Sequence, residues 1–129
     1  MQDAYDIAII DDDTLQVMIL QEMCLHANLS DQIVFHHFES IEIFKSAENT
    51  ARFCAVILDH RLPPFRNYDD SLQAISETNF DGPVLLVSTV KSLKPKIQTR
   101  FRLLGPIEKS EFSHPPALGR HLTHLIRPH

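Results

Sequence analysis

Residues 7–10, 33–38, 53–58 and 84–87 are short apolar runs of four to six residues, rich in β-branched or large side chains. Such runs predict strands buried on both faces. Between them the apolar positions recur at threes and fours, the spacing of helices. Thr14 is the predicted cap of a first helix with Leu15, Met18, Ile19, Met23 and His26 as its inner face and Asn28 as its stop. Ser40 opens a second helix, with Ile41, Phe44 and Ala47 on one side.

Residues 61–68 read as a loop containing Pro63 and Pro64, after which Asp69 or Asp70 can cap a third helix carrying Leu72, Ala74 and Ile75. Asp81, Gly82 and Pro83 punctuate the chain before the fourth strand. The basic stretch 91–102 predicts a helix starting near Pro95, followed by a fifth strand over 103–108. Ser113, Pro115 and Pro116 open a last helix with a stripe of Leu118, Leu122, Leu125 and Ile126.

Strands alternating with helices of this length predict an α/β fold: a doubly wound, five-stranded parallel sheet with helices on both faces. Residues 1–129 form one domain in this reading, since 43% of the 129 residues are hydrophobic, enough for one ordinary core. No apolar run approaches the roughly 20 residues that span a bilayer, and the first ten residues lack a leader pattern. A cytoplasmic protein is the expectation, with no membrane partner. Cys24 and Cys54 lie in apolar surroundings without a CxxC spacing, so free thiols are expected.

The net charge of −5 divides unevenly. Residues 1–90 hold 4 basic and 15 acidic side chains, and residues 91–129 hold 8 and 2, so the parts carry −11 and +6. A basic C-terminal face suits an acidic protein surface. The stretch lacks interleaved aromatics, which argues against a nucleic-acid partner.

In parallel sheets, ligands collect beyond the carboxyl ends of the strands. Asp11, Asp12 and Asp13 follow the first run, Asp59 the third and Ser88 the fourth, while Lys109 follows the predicted fifth strand. Carboxylates crowded at one edge repel by roughly 4 kcal/mol per pair at an effective dielectric of about 20. A divalent cation relieves that repulsion, and an all-oxygen set suits Mg2+. An aspartate can accept a phosphoryl group, and a hydroxyl and an ammonium can bind its oxygens. Acids after a strand also simply cap helices, so the triplet alone carries little; the joint set Asp11, Asp12, Asp59, Ser88 and Lys109 carries the reading.

The segments IAIIDDD, AVILDHRLP and PVLLVST give the chain a resemblance to the receiver domains of response regulators in two-component signalling, over essentially its whole length. The resemblance implies Asp59 as phosphoryl acceptor, Asp12 as a direct metal ligand and Asp11 as one acting through water, with the carbonyl of Arg61 as a further ligand. Ser88 and Lys109 match the residues that sense the phosphoryl group. It also implies a histidine kinase or histidine phosphotransfer protein as donor, and a downstream protein target as output. The chain ends directly after the last helix, so no output domain is expected. On this reading the protein is a signalling module, not an enzyme.

Several positions depart from the family pattern. Asn67 stands where glycine is usual, implying a left-handed turn. Thr89 replaces a small residue next to Ser88, implying slower phosphorylation. Ser110 replaces the proline after the lysine, which leaves the placement of Lys109 open. Pro106 stands at the position of a switch aromatic, with Phe101 as the candidate substitute, and Arg61 puts a cation beside the acceptor.

Two other functions compete. One is a receiver-like binding module that works without phosphorylation. The other is a phosphatase of the haloacid-dehalogenase type, whose DxDx(T/V) pattern, started at Asp11, meets Leu15 where Thr or Val belongs. His36 and His37 lack a third ligand nearby, so zinc is not expected. His114, His121, His124 and His129 read as surface residues.

Overall fold

The computed structural model describes residues 5–26, 32–60, 67–88 and 95–126. Five parallel strands form one sheet in the order β2-β1-β3-β4-β5, with β1 Tyr5–Ile10, β2 Ile33–Phe38, β3 Ala55–Asp59, β4 Val84–Ser88 and β5 Leu103–Glu108. Every residue of β3 and β4 is buried. Side chains alternate between the faces of a strand, and the two faces of β1 feed two cores. Ala8 and Ile10 pack with Ile41, Phe44, Leu72 and Ile75, which belong to α2 (Ile41–Ser46) and α3 (Tyr68–Ile75). Ile7 and Ile9 pack with Val17, Leu20, Leu118 and Leu122, which belong to α1 (Thr14–His26) and α4 (Pro115–Ile126). The doubly wound arrangement read from the sequence is the one observed.

Local signals account for most boundaries. Ser40 caps α2, its hydroxyl accepting from the amide of Ile43 at 3.1 Å. Pro115 begins α4, where its missing N–H costs nothing, and the expected stripe of Leu118, Leu122 and Leu125 is buried. The caps of α1 and α3 differ from those expected. Asp13, not Thr14, accepts from the amide of Gln16 at 3.3 Å. Asn67, not Asp69 or Asp70, caps α3 by accepting from the amide of Asp70 at 2.9 Å, and its φ of −154° is extended, not left-handed. The predicted stop at Asn28 lies outside the described residues.

The inner face of α1 is also corrected. Val17, Leu20 and Cys24 are buried, whereas Leu15 is 64% exposed, Met18 59% and Leu25 53%. The helix is apolar almost all round, so spacing alone could not say which stripe faces the sheet. Met18 and Leu25 line an open groove of about 440 Å3 against Ile33 and Phe35 of the edge strand β2.

The larger correction is the connection between β4 and β5. None of residues 95–102 is helical. Their backbone bonds are made elsewhere: Asp69 Oδ1 accepts from the amides of Lys96 at 2.8 Å and Ile97 at 3.0 Å. Arg100 donates to the carbonyls of Ser76, Thr78 and Phe80 just beyond α3, at 3.0, 3.0 and 2.7 Å. These bonds tie the segment to the start of α3 and to the carbonyls beyond its end, giving its backbone and side-chain donors partners outside a helix of its own. The basic C-terminal face shrinks accordingly, because Arg102 caps the end of α4 through the carbonyl of His124 at 3.1 Å and Lys109 is buried.

β5 joins β4 with a shift of register between Leu85 and Val87. Gly105, with φ of +88°, sits there before a cis bond to Pro106. A Cβ at Gly105 would stand 2.6 Å from the carbonyl oxygen of Leu86, so only glycine fits.

Candidate functional site

Because all five strands run in parallel, their carboxyl ends share one edge of the sheet. Asp11 follows β1, Asp59 and Ser88 end β3 and β4, and Lys109 follows β5. The structure brings these together. Lys109 Nζ lies 2.7 Å from Oδ2 of Asp11 and 2.9 Å from Oδ1 of Asp59, and all three side chains are buried. The Lys109 placement left open by Ser110 is thereby answered: a 3-10 turn, Lys109–Ser113, starts directly after β5, and the ammonium points into the acidic edge.

Asp11 is held firmly. Its amide donates to the carbonyl of Phe38 at 3.1 Å, its Oδ1 accepts from the amide of Asp13 at 2.9 Å, and its carbonyl accepts from His37 Nε2 at 2.7 Å. His37 thus braces the loop after β1, a role the sequence did not suggest. Asp12 is exposed beside this pair, and Asp11, Asp12 and Asp59 each offer an oxygen within 4.8 Å of the others. His36 bonds Asp6 at 2.8 Å, away from that group.

Two opposed effects set the charge of Asp59. Burial raises its pKa, the neighbouring Asp11 carboxylate raises it further, and Lys109 lowers it, leaving it above the ordinary value of 3.8. For Lys109, burial favours the neutral amine, but its bonds to Asp11 and Asp59 outweigh this and hold the pKa above the ordinary 10.5. Among the described residues, one ammonium between two buried carboxylates leaves an excess negative charge facing Asp12, which a hard cation would balance. The donor set is all oxygen, which fits Mg2+ and not a thiol- or imidazole-seeking metal.

Ser88 is buried at the end of β4. Arg61 and Thr89 lie outside the described residues. Phe101 does not replace a switch aromatic: it precedes β5, at the opposite edge of the sheet, and packs on Phe80 at 5.5 Å. An aromatic does reach this end of the sheet from α3. Tyr68, 2% exposed, donates its hydroxyl to the carbonyl of Val87 at 2.6 Å and sets its ring 4.6 Å from that of His60. Sequence reasoning left Tyr68 in a loop; a lone tyrosine just after an asparagine cap was the available signal.

Neither the comparison with protein-family models nor that with curated proteins gave a match. Solved structures are similar over nearly the whole chain. The BeF3-activated receiver domain of DrrB matches with TM-score 0.62 and 19% identity, covering 96% of this chain and 98% of that one. A response regulator receiver protein from Pseudoalteromonas atlantica matches with TM-score 0.69 and 13% identity, covering 94% and 96%. Against the Thermotoga maritima response regulator DrrB, an OmpR/PhoB homologue, identity is 24% and TM-score 0.53 over 70% of this chain, which spans only 38% of that protein. The fold is that of response regulator receiver domains. No helix among the described residues is long and apolar enough to cross a membrane.

Proposed function

We propose that the chain is a receiver domain of two-component signalling that accepts a phosphoryl group on Asp59 in a Mg2+-dependent reaction. The observation that carries this is the buried bridge of Lys109 between Asp11 and Asp59, with Asp12 exposed beside it. Asp59 and Asp12 would hold the metal directly, with the Arg61 carbonyl. Asp11 has one oxygen on Lys109 and the other on an amide, which suits a role through water. The cation would neutralise charge on the phosphoryl oxygens and on the carboxylates.

Asp59 reacts as the carboxylate, and Lys109 favours that form. As the Asp59 oxygen bonds phosphorus, the bond from phosphorus to the donor atom breaks and its electron pair leaves with the donor. Lys109 and Ser88 would hydrogen-bond the transferred oxygens. The donor is a histidine kinase or histidine phosphotransfer protein, and Leu15 and Met18 offer it exposed apolar surface on the helix that starts after the acidic residues. Output passes to a downstream protein. The site is thus an acceptor in a signalling module occupying residues 1–129.

The alternative is a receiver-like module that binds without phosphorylation, favoured by Pro106 at the switch position and by a lysine already paired in the site. Intact mass after incubation with acetyl phosphate and Mg2+, beside Asp59→Asn, separates the two. One phosphoryl mass on the wild type alone is expected. Equal labelling of Asp59→Asn overturns the acceptor assignment, and no labelling of either favours the alternative.

A further inference from the structure

We propose that Tyr68 is a positioning residue that ties the end of β4 to the acceptor strand and relays its movement to the β4–β5 connection. The inference rests on the phosphoryl-accepting reading above. Asp59 and Val87 are partners across β3 and β4, and the next residues are His60 and Ser88. Tyr68 touches both ends: its ring lies against His60, and its hydroxyl holds the carbonyl of Val87. A movement of Ser88 toward a phosphoryl group on Asp59 that carries its backbone along shifts the peptide that begins at that carbonyl.

Tyr68 is also the first residue of α3, and Asp69 is the second. Asp69 is the side chain that holds the amides of Lys96 and Ile97. A displacement of the Val87 carbonyl therefore pulls on a hydroxyl whose backbone adjoins the anchor of the next connection. No aromatic of β5 offers a competing route, since that strand reads LLGPIE. Through Tyr68, phosphorylation loosens the Asp69 anchor and frees residues 96 and 97.

The test compares wild type with Tyr68→Phe, which keeps the ring and removes only the hydroxyl. Amide exchange at Lys96 and Ile97 is followed with and without acetyl phosphate and Mg2+, and phosphoryl uptake is followed by mass. Wild type is expected to take the phosphoryl group and exchange these amides faster by about fivefold, what one hydrogen bond of ordinary net strength is worth. Tyr68→Phe should take the group at a similar rate and show no such response. An equal response in both proteins, or none in a phosphorylated wild type, overturns the relay while sparing the acceptor reading. Loss of uptake in a folded Tyr68→Phe overturns it as well, because the hydroxyl would then serve the chemistry. No uptake by the wild type overturns both proposals.

Discussion

The ammonium of Lys109 stands 2.9 Å from the carboxylate of Asp59, and each of these groups has its pKa raised in the folded protein. The shared direction has different meanings for the two. For Lys109 it marks a charge that the fold favours; for Asp59 it marks a charge that burial and Asp11 disfavour despite the lysine.

Asp59→Asn should therefore stabilise the metal-free protein near neutral pH. A folded pKa above the unfolded 3.8 gives stability that is full below that value and is lost as pH rises through the folded pKa. Thermal unfolding without Mg2+ should show a higher midpoint for the variant at neutral pH, with the gap closing as pH falls toward 3.8. A lower midpoint for Asp59→Asn at neutral pH would contradict the stated balance of charges.

Lys109→Met removes the cation that, among the described residues, lies between two buried carboxylates. Leaving buried charge without its partner costs about 3 kcal/mol, read as a loss in urea unfolding without metal. Added Mg2+ should restore more stability to the variant than it adds to the wild type, because the repulsion it relieves is greater. Equal Mg2+ effects would mean that the ion does not sit among these carboxylates.

Gly105→Ala should destabilise by at least about 2 kcal/mol, combining a positive φ with a backbone collision. A denaturant midpoint unchanged from wild type would show that β5 can change register at no cost. Gly119 has nothing within 4 Å of an added Cβ, so Gly119→Ala, in α4, is the control and should be neutral or stabilising.

Cys54 has its thiol pushed up to about 11, mainly by burial, and Cys24 is raised for the same reason. Both should react slowly with a thiol-directed disulfide reagent at pH 8 in the native state and fully in denaturant. Rapid native reaction of two thiols would place them outside the apolar surroundings seen here.

The central strands were legible because buried parallel strands are continuous apolar runs, and the half-buried edge strands β2 and β5 also fall on residues 33–38 and 103–108 as read. The juxtaposition of Asp11, Asp59, Ser88 and Lys109 followed from that reading, since parallel strands bring their ends together. Less was legible where side chains compete for backbone groups. Residues 95–102 have helix-compatible composition, but their conformation depends on Asp69 and Arg100, partners tens of residues apart from the atoms they bind. The phase of α1 was hidden by apolar residues on every side. Tyr68 was missed because its role depends on Val87, a contact that spacing cannot show.

The connection from β4 to β5 also bears on the order in which the molecule comes together. Residues 96–100 take their shape from α3, through an acceptor at its start and carbonyls beyond its end. Their ordered form is therefore expected to depend on that helix. The outer strand β5 follows them in the chain, so a lesion in α3 that removes the Asp69 acceptor or displaces those carbonyls should loosen the entry to β5 as well.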